Sequence, residues 1–273
     1  MQNDIFHKPK LNLLSNKFPR SVFFIFFLFI ISRCVSQDLK LGIKGGLSLP
    51  NLSSSGGSEV SKGYKTISGP DFGLVVDYTI TDRVSIETGI EWSTQGGQKS
   101  GLQTIPASPE LAQYFPPGSN VQYLYANFTS TVRLQYLMLP VLLKYTMDLD
   151  DVNHWKLYWD GGIFGALLMT AEASAAGISK VFYDKEETNQ VGSVAVQFDS
   201  TGDIKNQLHK GNFGLEGDIG VLYHVNNLSV FAEGGANYGF INLQKSSQNG
   251  INHTGALIFR IGLFFDLKTK KVQ

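Results

Sequence analysis

Residues 84–92, Val-Ser-Ile-Glu-Thr-Gly-Ile-Glu-Trp, alternate apolar and polar side chains without interruption. The even positions carry Val, Ile, Thr, Ile and Trp, and the odd positions carry Ser, Glu, Gly and Glu. Because a β-strand points successive side chains to opposite faces, a period of two places one face against an apolar medium and the other against a polar one. This stretch therefore predicts a strand whose two faces meet different surroundings.

The same alternation recurs along the chain and predicts eight strands. Short turns near Thr81, Asp148 and Asn226 alternate strictly with four long loops. An even number of strands with short turns on one side and long loops on the other is typical of outer-membrane barrels. We therefore predict an all-β fold, an eight-stranded antiparallel up-and-down transmembrane β-barrel with short periplasmic turns and long extracellular loops. The predicted strands cover residues 39–49, 70–80, 84–92, 132–147, 155–171, 212–223, 228–240 and 255–267.

The first 37 residues have the layout of a secretory signal peptide. Basic residues precede the apolar run Val22–Ile31, and small and polar residues follow it. Ten helical residues span about 15 Å, roughly half of a bilayer core, so a membrane anchor is the weaker interpretation. The sequence predicts export by a Sec-type route to the outer membrane.

Cleavage near Gln37 would divide the chain into a signal peptide, residues 1–37, and a barrel domain, residues 38–273. It would also remove Cys34, the one cysteine of the chain. The bulky, charged Arg33 before that cysteine argues against a lipid-attachment site, since such sites favour small residues there.

The composition indicates a folded chain with no affinity for nucleic acid. Charged residues make up 17% and aromatic residues 12% of the sequence, which argues against disorder. Without residues 1–37 the chain keeps 18 basic and 22 acidic residues (23 − 5 and 23 − 1), a net charge of −4. A mildly acidic chain without a basic cluster offers no footprint for nucleic acid.

Alternation alone leaves two orientations of the barrel wall open. In one, the apolar face contacts lipid and charges line the lumen; in the other, a soluble lipocalin-like carrier holds the apolar face inside. Lipid outside is favoured, because aromatic residues recur near strand ends and an eight-stranded barrel has room inside only for side chains. The recurring aromatic residues are Tyr78, Trp92, Tyr145, Trp155, Trp159, Tyr223, Tyr238 and Phe265.

Charged residues on the polar faces predict a buried network in the lumen. They could also line a narrow polar path, but the small diameter favours a network that satisfies itself. The predicted members are Lys44, Asp77, Glu87, Glu91, Lys144, Glu216, Asp218, Glu233 and Arg260.

The long loops are the predicted contact sites, since exposed apolar groups often mark interfaces. We expect a loop from about Gly96 to Ser130, with a short helix at 110–114, and a hairpin of its own at 191–198. Pro140 is expected to distort its strand, because proline breaks a ladder bond. The predicted loop contacts are Tyr114, Phe115, Tyr123, Tyr125 and Phe128.

Three stretches resemble the PorT-like outer-membrane β-barrel proteins of Bacteroidetes. Leu41–Ser48 (LGIKGGLS) resembles the first strand of that family, and Tyr136–Tyr145 (YLMLPVLLKY) is similar to its "YLxIPxLLKY" strand. Gly214–Gly220 (GLEGDIG) resembles its later glycine-rich strand. Met138 stands where members often carry an acidic residue. The resemblance implies an outer-membrane barrel and, from the member that names the family, a link to protein secretion; it implies no functional residues.

The histidines give no sign of catalysis. His154 and His224 fall at short turns, His209 and His253 lie in or beside long loops, and no serine-containing elbow motif accompanies them. We therefore predict a non-enzymatic protein without cofactor or metal.

The predicted function is a structural or interaction role through the long outer loops, with a small porin-like channel and the soluble carrier as alternatives. We expect a monomer in contact with outer-membrane lipid and with envelope proteins as partners.

Overall fold

The computed structural model describes residues 39–55, 58–107, 121–150, 154–246 and 250–267. The predicted signal peptide, the predicted helix at 110–114 and the candidates Tyr114 and Phe115 lie outside the described residues.

The described part of the chain is built mostly of β-strands, with loops and turns between them. Two 3-10 helices, Glu59–Ser61 and Lys205–Gln207, interrupt the loops, and no helix in the described ranges is long and apolar enough to cross a membrane. The strands are β1 Leu39–Ser54, β2 Gly69–Thr79, β3 Val84–Pro106, β4 Tyr123–Asp148, β5 Trp155–Ala176, β6 Ile178–Ser179, β7 Val181–Phe182, β8 Val196–Gln197, β9 Ser200–Asp203, β10 Gly211–Val225, β11 Leu228–Gly239 and β12 Asn252–Leu267.

Eight of the described strands close into an antiparallel ring. Each pairs with its neighbour in the order β1-β2-β3-β4-β5-β10-β11-β12. The first and last strands then pair along their whole lengths, from Leu39 opposite Leu267 to Ser54 opposite Asn252. The ring has no open edge at this seam, and the predicted eight-stranded up-and-down barrel is confirmed.

Three strands continue far beyond the ring on the long-loop side and form what we call the outer extension. It comprises β3 from Gln95, β4 up to Gln135, β5 from Thr170, and the short strands β6 to β9. β3 and β4 stay paired as far as Pro106 opposite Tyr123, while β7 and β9 add to the outer parts of β4 and β5.

The outer extension corrects two expectations from the sequence. Most of the expected loop from Gly96 to Ser130 is strand, because both sides of the β3–β4 pair continue the ladder above the ring. The expected hairpin at 191–198 is also wrong, since Val196–Gln197 pairs back to Ile178–Ser179.

Pro140 distorts its strand as expected. The β3–β4 ladder lapses opposite Leu139 and Pro140 and resumes in the same register at Glu91 opposite Met138. The hydroxyl of Thr88 donates instead to the Pro140 carbonyl oxygen at 2.7 Å. The register shift of β4 lies elsewhere, between Gln135 and Tyr136 on the β5 side.

The apolar face of the ring points outward. Leu74, Ile163 and Ile261 are each more than 60% exposed, whereas the charged side chains of the same strands are buried in the lumen. The soluble-carrier alternative requires an apolar lumen and is therefore wrong. Aromatic pairs lie near the strand ends, with Tyr145 and Trp159 ring centres 4.8 Å apart and those of Trp155 and Tyr223 4.7 Å apart.

We call the outward apolar face of the ring the apolar belt, and Ile163 lies in its middle. The variant I163R should destabilise the barrel in lipid vesicles by about 2–4 kcal/mol, because a charge at mid-bilayer depth is costly. Urea unfolding followed by heat-modifiable gel mobility measures the change. A176R is the control, because Ala176 is exposed on β5 in the outer extension. Equal losses for I163R and A176R would contradict the assignment of the belt.

Candidate functional site

The lumen of the ring is filled by three layers of side chains. A charged layer lies in the middle, and an apolar cluster covers it on each side. The outer cluster, on the long-loop side, contains Leu52, Leu134, Tyr136, Met138, Phe164, Leu168, Ala171, Leu208 and Leu243. The inner cluster, on the short-turn side, contains Val75, Tyr158, Leu222, Phe231 and Phe264.

Glycines make room for the inner cluster. A Cβ atom added to Gly262 would lie 2.3 Å from the Phe231 ring, and one added to Gly220 would lie 2.5 Å from the Tyr158 ring. The two rings therefore occupy the space that a side chain at Gly262 or Gly220 would need. Tyr158 also donates its hydroxyl to Glu233 at 2.7 Å, which joins the inner cluster to the charged layer.

Arg260 is the centre of the charged layer. Its Nη1 lies 2.7 Å from a Glu91 oxygen, and its Nη2 lies 2.7 Å from Glu216 and 3.2 Å from Asp218. Its Nε lies 3.0 Å from Glu233, the residue directly opposite it on β11. A guanidinium presents five donors in a rigid fork, which suits a residue that holds several carboxylates together.

Two lysines extend the layer. Lys44 Nζ lies 2.7 Å from Glu91 and 3.2 Å from Glu87. Lys144 bonds to Glu87 and lies 3.2 Å from Asp77, and its ammonium group is 4.5 Å from the Tyr158 ring centre. Glu87 therefore bridges the two lysines, and the layer is one connected network.

The structure places all nine sequence-predicted network residues in the lumen and connects them. It adds Asp71, which lies 3.7 Å from Arg260, and Asp160, which faces Lys144 across the β4–β5 pair. Both Asp71 and Asp160 occupy inward positions in the alternation, and this could have identified them as network residues from the sequence. Each of the eight ring strands contributes at least one of these eleven described residues.

The charged layer is strongly acidic. Eight carboxyl groups face three cations among the described lumen residues, and neither oxygen of Asp160 has a hydrogen-bond partner there. Removing a cation from such a layer leaves buried carboxylates unpaired, which costs much more than losing a surface pair. The layer can therefore hold strands together, provided its cations stay in place.

The predicted loop contacts on β4 are not exposed loop residues. Tyr123, Tyr125 and Phe128 lie within the strand and are only partly exposed. The Phe128 ring stacks on Phe198 at 4.5 Å, so it holds the end of the 177–198 segment against β4.

Glu59 joins two loops of the outer part. Its carboxylate accepts hydrogen bonds from Lys185 and Lys62, each at 3.0 Å. These bonds, together with the two positive charges, hold the pKa of the Glu59 carboxyl below its usual value. The first long loop is thereby tied to the third.

Three of the four described histidines make ring hydrogen bonds to loop or strand groups, and the ring of the fourth, His154, lies 6.0 Å from the Tyr223 ring. His209 Nδ1 lies 2.7 Å from the Asn242 carbonyl oxygen, His224 Nδ1 lies 2.9 Å from the Ser229 hydroxyl, and His253 Nε2 lies 3.1 Å from the Ser55 hydroxyl.

A comparison with protein families matches residues 35–256 to the model of the outer membrane protein beta-barrel domain. The chain belongs to this family. A comparison with curated proteins finds no match. The finer PorT-like assignment of the sequence stays a prediction.

A comparison with solved structures finds other outer-membrane proteins at low similarity. Neisserial surface protein A is 14% identical, with 83% of this chain and 97% of that chain covered and a TM-score of 0.34. OprG from Pseudomonas aeruginosa is 13% identical, with 86% and 99% covered and a TM-score of 0.32. The protease OmpT from Escherichia coli is 11% identical, with 84% and 97% covered and a TM-score of 0.33. At these values nothing about their activities extends to this family member.

Replacing Arg260 by methionine should destabilise the barrel by about 3–5 kcal/mol, because several buried carboxylates lose their partner. Urea unfolding in vesicles measures the loss. R83M, at an exposed short turn, should stay within about 0.5 kcal/mol of the wild type. The double variant R260M/E216Q should recover part of the loss; no recovery would show that unpaired charge is not the cause.

K185Q should raise the pKa of the Glu59 carboxyl toward its ordinary value, as measured by NMR titration in micelles. Since the pKa is depressed in the folded state, the contribution of the Glu59 contacts is present above the unfolded-state pKa and is lost as the pH falls through the folded-state pKa. K180Q, at an exposed lysine of the same loop, should leave Glu59 unchanged. An equal shift in both variants would contradict the contact.

Proposed function

We propose that this family member is a non-enzymatic barrel of the bacterial outer membrane that acts through its outer extension, in a structural or interaction role. The ring would anchor the protein in the lipid as a monomer. Envelope proteins would bind the outer extension. The similarity of Tyr136–Tyr145 to the PorT-like strand supports a role in secretion or another envelope process.

The filled lumen is the observation that carries this proposal. A solute crossing the ring would have to displace the outer cluster, the charged layer and the inner cluster in turn. A cavity of about 340 Å³ opens at the short-turn mouth and reaches Asp77 and Lys144 at the edge of the charged layer, beside Tyr158, Leu222 and Phe264 of the inner cluster. The outer cluster and the rest of the charged layer still fill the lumen beyond it. The lumen therefore favours an anchor over a channel.

The length of the outer extension supports a role outside the membrane. β4 has 26 residues, and a barrel strand needs about 9–11 to cross a bilayer. The thirteen residues from Tyr123 to Gln135 correspond to about 43 Å of strand at about 3.3 Å per residue. A paired sheet of this length offers a surface to a partner outside the membrane.

In planar bilayers the wild-type barrel should show no steady conductance, because the three layers close the lumen. The quadruple variant L134A/F164A/Y158A/R260A, which truncates both apolar clusters and the centre of the charged layer, is the comparison and should admit ions if gel mobility shows that it folds. Steady current through the wild type would favour the porin-like alternative and contradict the proposal.

Shortening the β3–β4 hairpin tests the extension directly. Joining Gln98 to Thr131 by a two-residue turn should leave heat-modifiable mobility intact, because the ring keeps its pairs. A photoreactive side chain at Leu102, which is 38% exposed, should form a defined cross-linked product in intact cells. The same side chain at Ile163 should label only lipid. Cross-linking at Ile163 alone would contradict an interaction role for the extension.

A further inference from the structure

Two rows of residues, polar at every position except Gly96, cross the outward face of the outer extension, and they suggest a ligand that the function proposed above does not include. The registers of β3–β4, β4–β5 and β5–β9 align them across four strands. We call the first the charged row: Gly96, Arg133, Glu172 and Asp203. We call the second the hydroxyl row: Gln98, Thr131, Ser174 and Thr201.

Both rows continue the lipid-facing surface of the ring. Arg133 lies on the same face of β4 as Leu137 and Leu139, since these positions are separated by even numbers of residues. On β5 the register shift opposite Gln135 brings Glu172 to this outward face. The outermost apolar row is formed by Trp92, Leu137 and Leu167, which pair in register.

The charged row lies between two cavities. One has a volume of about 630 Å³ and is also lined by Ser68, Gln98 and Thr131. The other has a volume of about 600 Å³ and is also lined by Thr201, Asp203 and Lys205. Arg133 and Glu172 line both, so a ligand of two connected units could bind to both sides of the charged row.

Arg133 is held in position by the backbone around it. Its Nη1 donates to the Ser68 carbonyl oxygen at 3.0 Å. Gly96, its partner on β3, has φ +136°, and a Cβ there would lie 2.1 Å from the Val132 carbonyl oxygen. Glu172 has no ion-pair partner among the described residues, so its carboxylate is free to accept hydrogen bonds from a ligand.

The height of the rows selects the size of the headgroup. At about 3.3 Å per residue and a tilt of about 40°, the charged row lies about 10 Å and the hydroxyl row about 15 Å above Leu137. The headgroup region of one leaflet is only about 5–8 Å thick. A phospholipid headgroup would therefore stop short of both rows, and a taller headgroup would reach them.

Hydroxyl, amide, carboxylate and guanidinium groups are suited to a ligand rich in hydroxyls. Glu172 and Asp203 disfavour a headgroup dense in phosphate, because like charges repel. We propose that this face binds a glycolipid of the outer leaflet, with a saccharide headgroup on the two rows and acyl chains along the apolar belt. Continuity with the belt argues for a membrane-borne saccharide.

The test uses the full barrel reconstituted in phosphatidylethanolamine vesicles that contain a minor fraction of digalactosyldiacylglycerol. Native mass spectrometry of the released barrel compares the two retained lipids. The wild type should retain the glycolipid in excess of its fraction. E172Q should lower this enrichment about tenfold, equivalent to about 1.4 kcal/mol. E186Q makes the same chemical change at an exposed carboxylate that lines neither cavity, and it should retain the wild-type ratio.

T131V/S174A tests the hydroxyl row without a change of charge and should also lower the enrichment, provided that gel mobility shows a folded barrel. Equal retention of both lipids by the wild type would overturn the proposal. Equal enrichment in E172Q and E186Q would do the same. Displacement of the glycolipid by free digalactose would show a site for soluble saccharide and would overturn the assignment to the membrane.

Discussion

Closure of the sheet is the constraint on which the rest of this structure depends. In hydrocarbon no water can satisfy a free N–H or carbonyl group, so a membrane sheet must have no edge. The pairing of β1 with β12, sixteen residues on each strand, removes the last two edges. Once the ring is closed, alternation fixes which side chains contact lipid and which must share a narrow lumen.

The narrow lumen explains the layered interior. Eleven charged side chains share the middle of the barrel, and Arg260 with two lysines connects all of them except Asp160. Buried charges without partners are costly, so the arrangement is stable only as a connected set. The apolar clusters on both sides keep most of this set away from water, which strengthens the ion pairs around Arg260.

The ring and its network could be predicted from the sequence, because the bilayer and the lumen impose opposite requirements on alternate residues. Lys44, Glu87 and Arg260 stand out as charges between lipid-facing residues, and their inward position follows directly. Above the membrane both faces meet polar surroundings, so Thr129, Ser130 and Thr131 show no alternation, and the strand there is missed. The pairing of 178–179 with 196–197 was missed because two-residue strands have no period to detect.

The order of the strands has a consequence for how the barrel is assembled. Most neighbours in the ring are hairpins; β10 and β11, for example, are separated by only two residues. The seam joins strands separated by almost the whole domain, and closing so long a loop costs about 4 kcal/mol more than closing a two-residue hairpin. Local pairs can therefore form early, while β1 keeps an open edge until β12 arrives. The pairing of β1 with β12 is therefore expected to be the last step of assembly. A chain that lacks β12 would leave the outer edges of β1 and β11 free to pair with other chains.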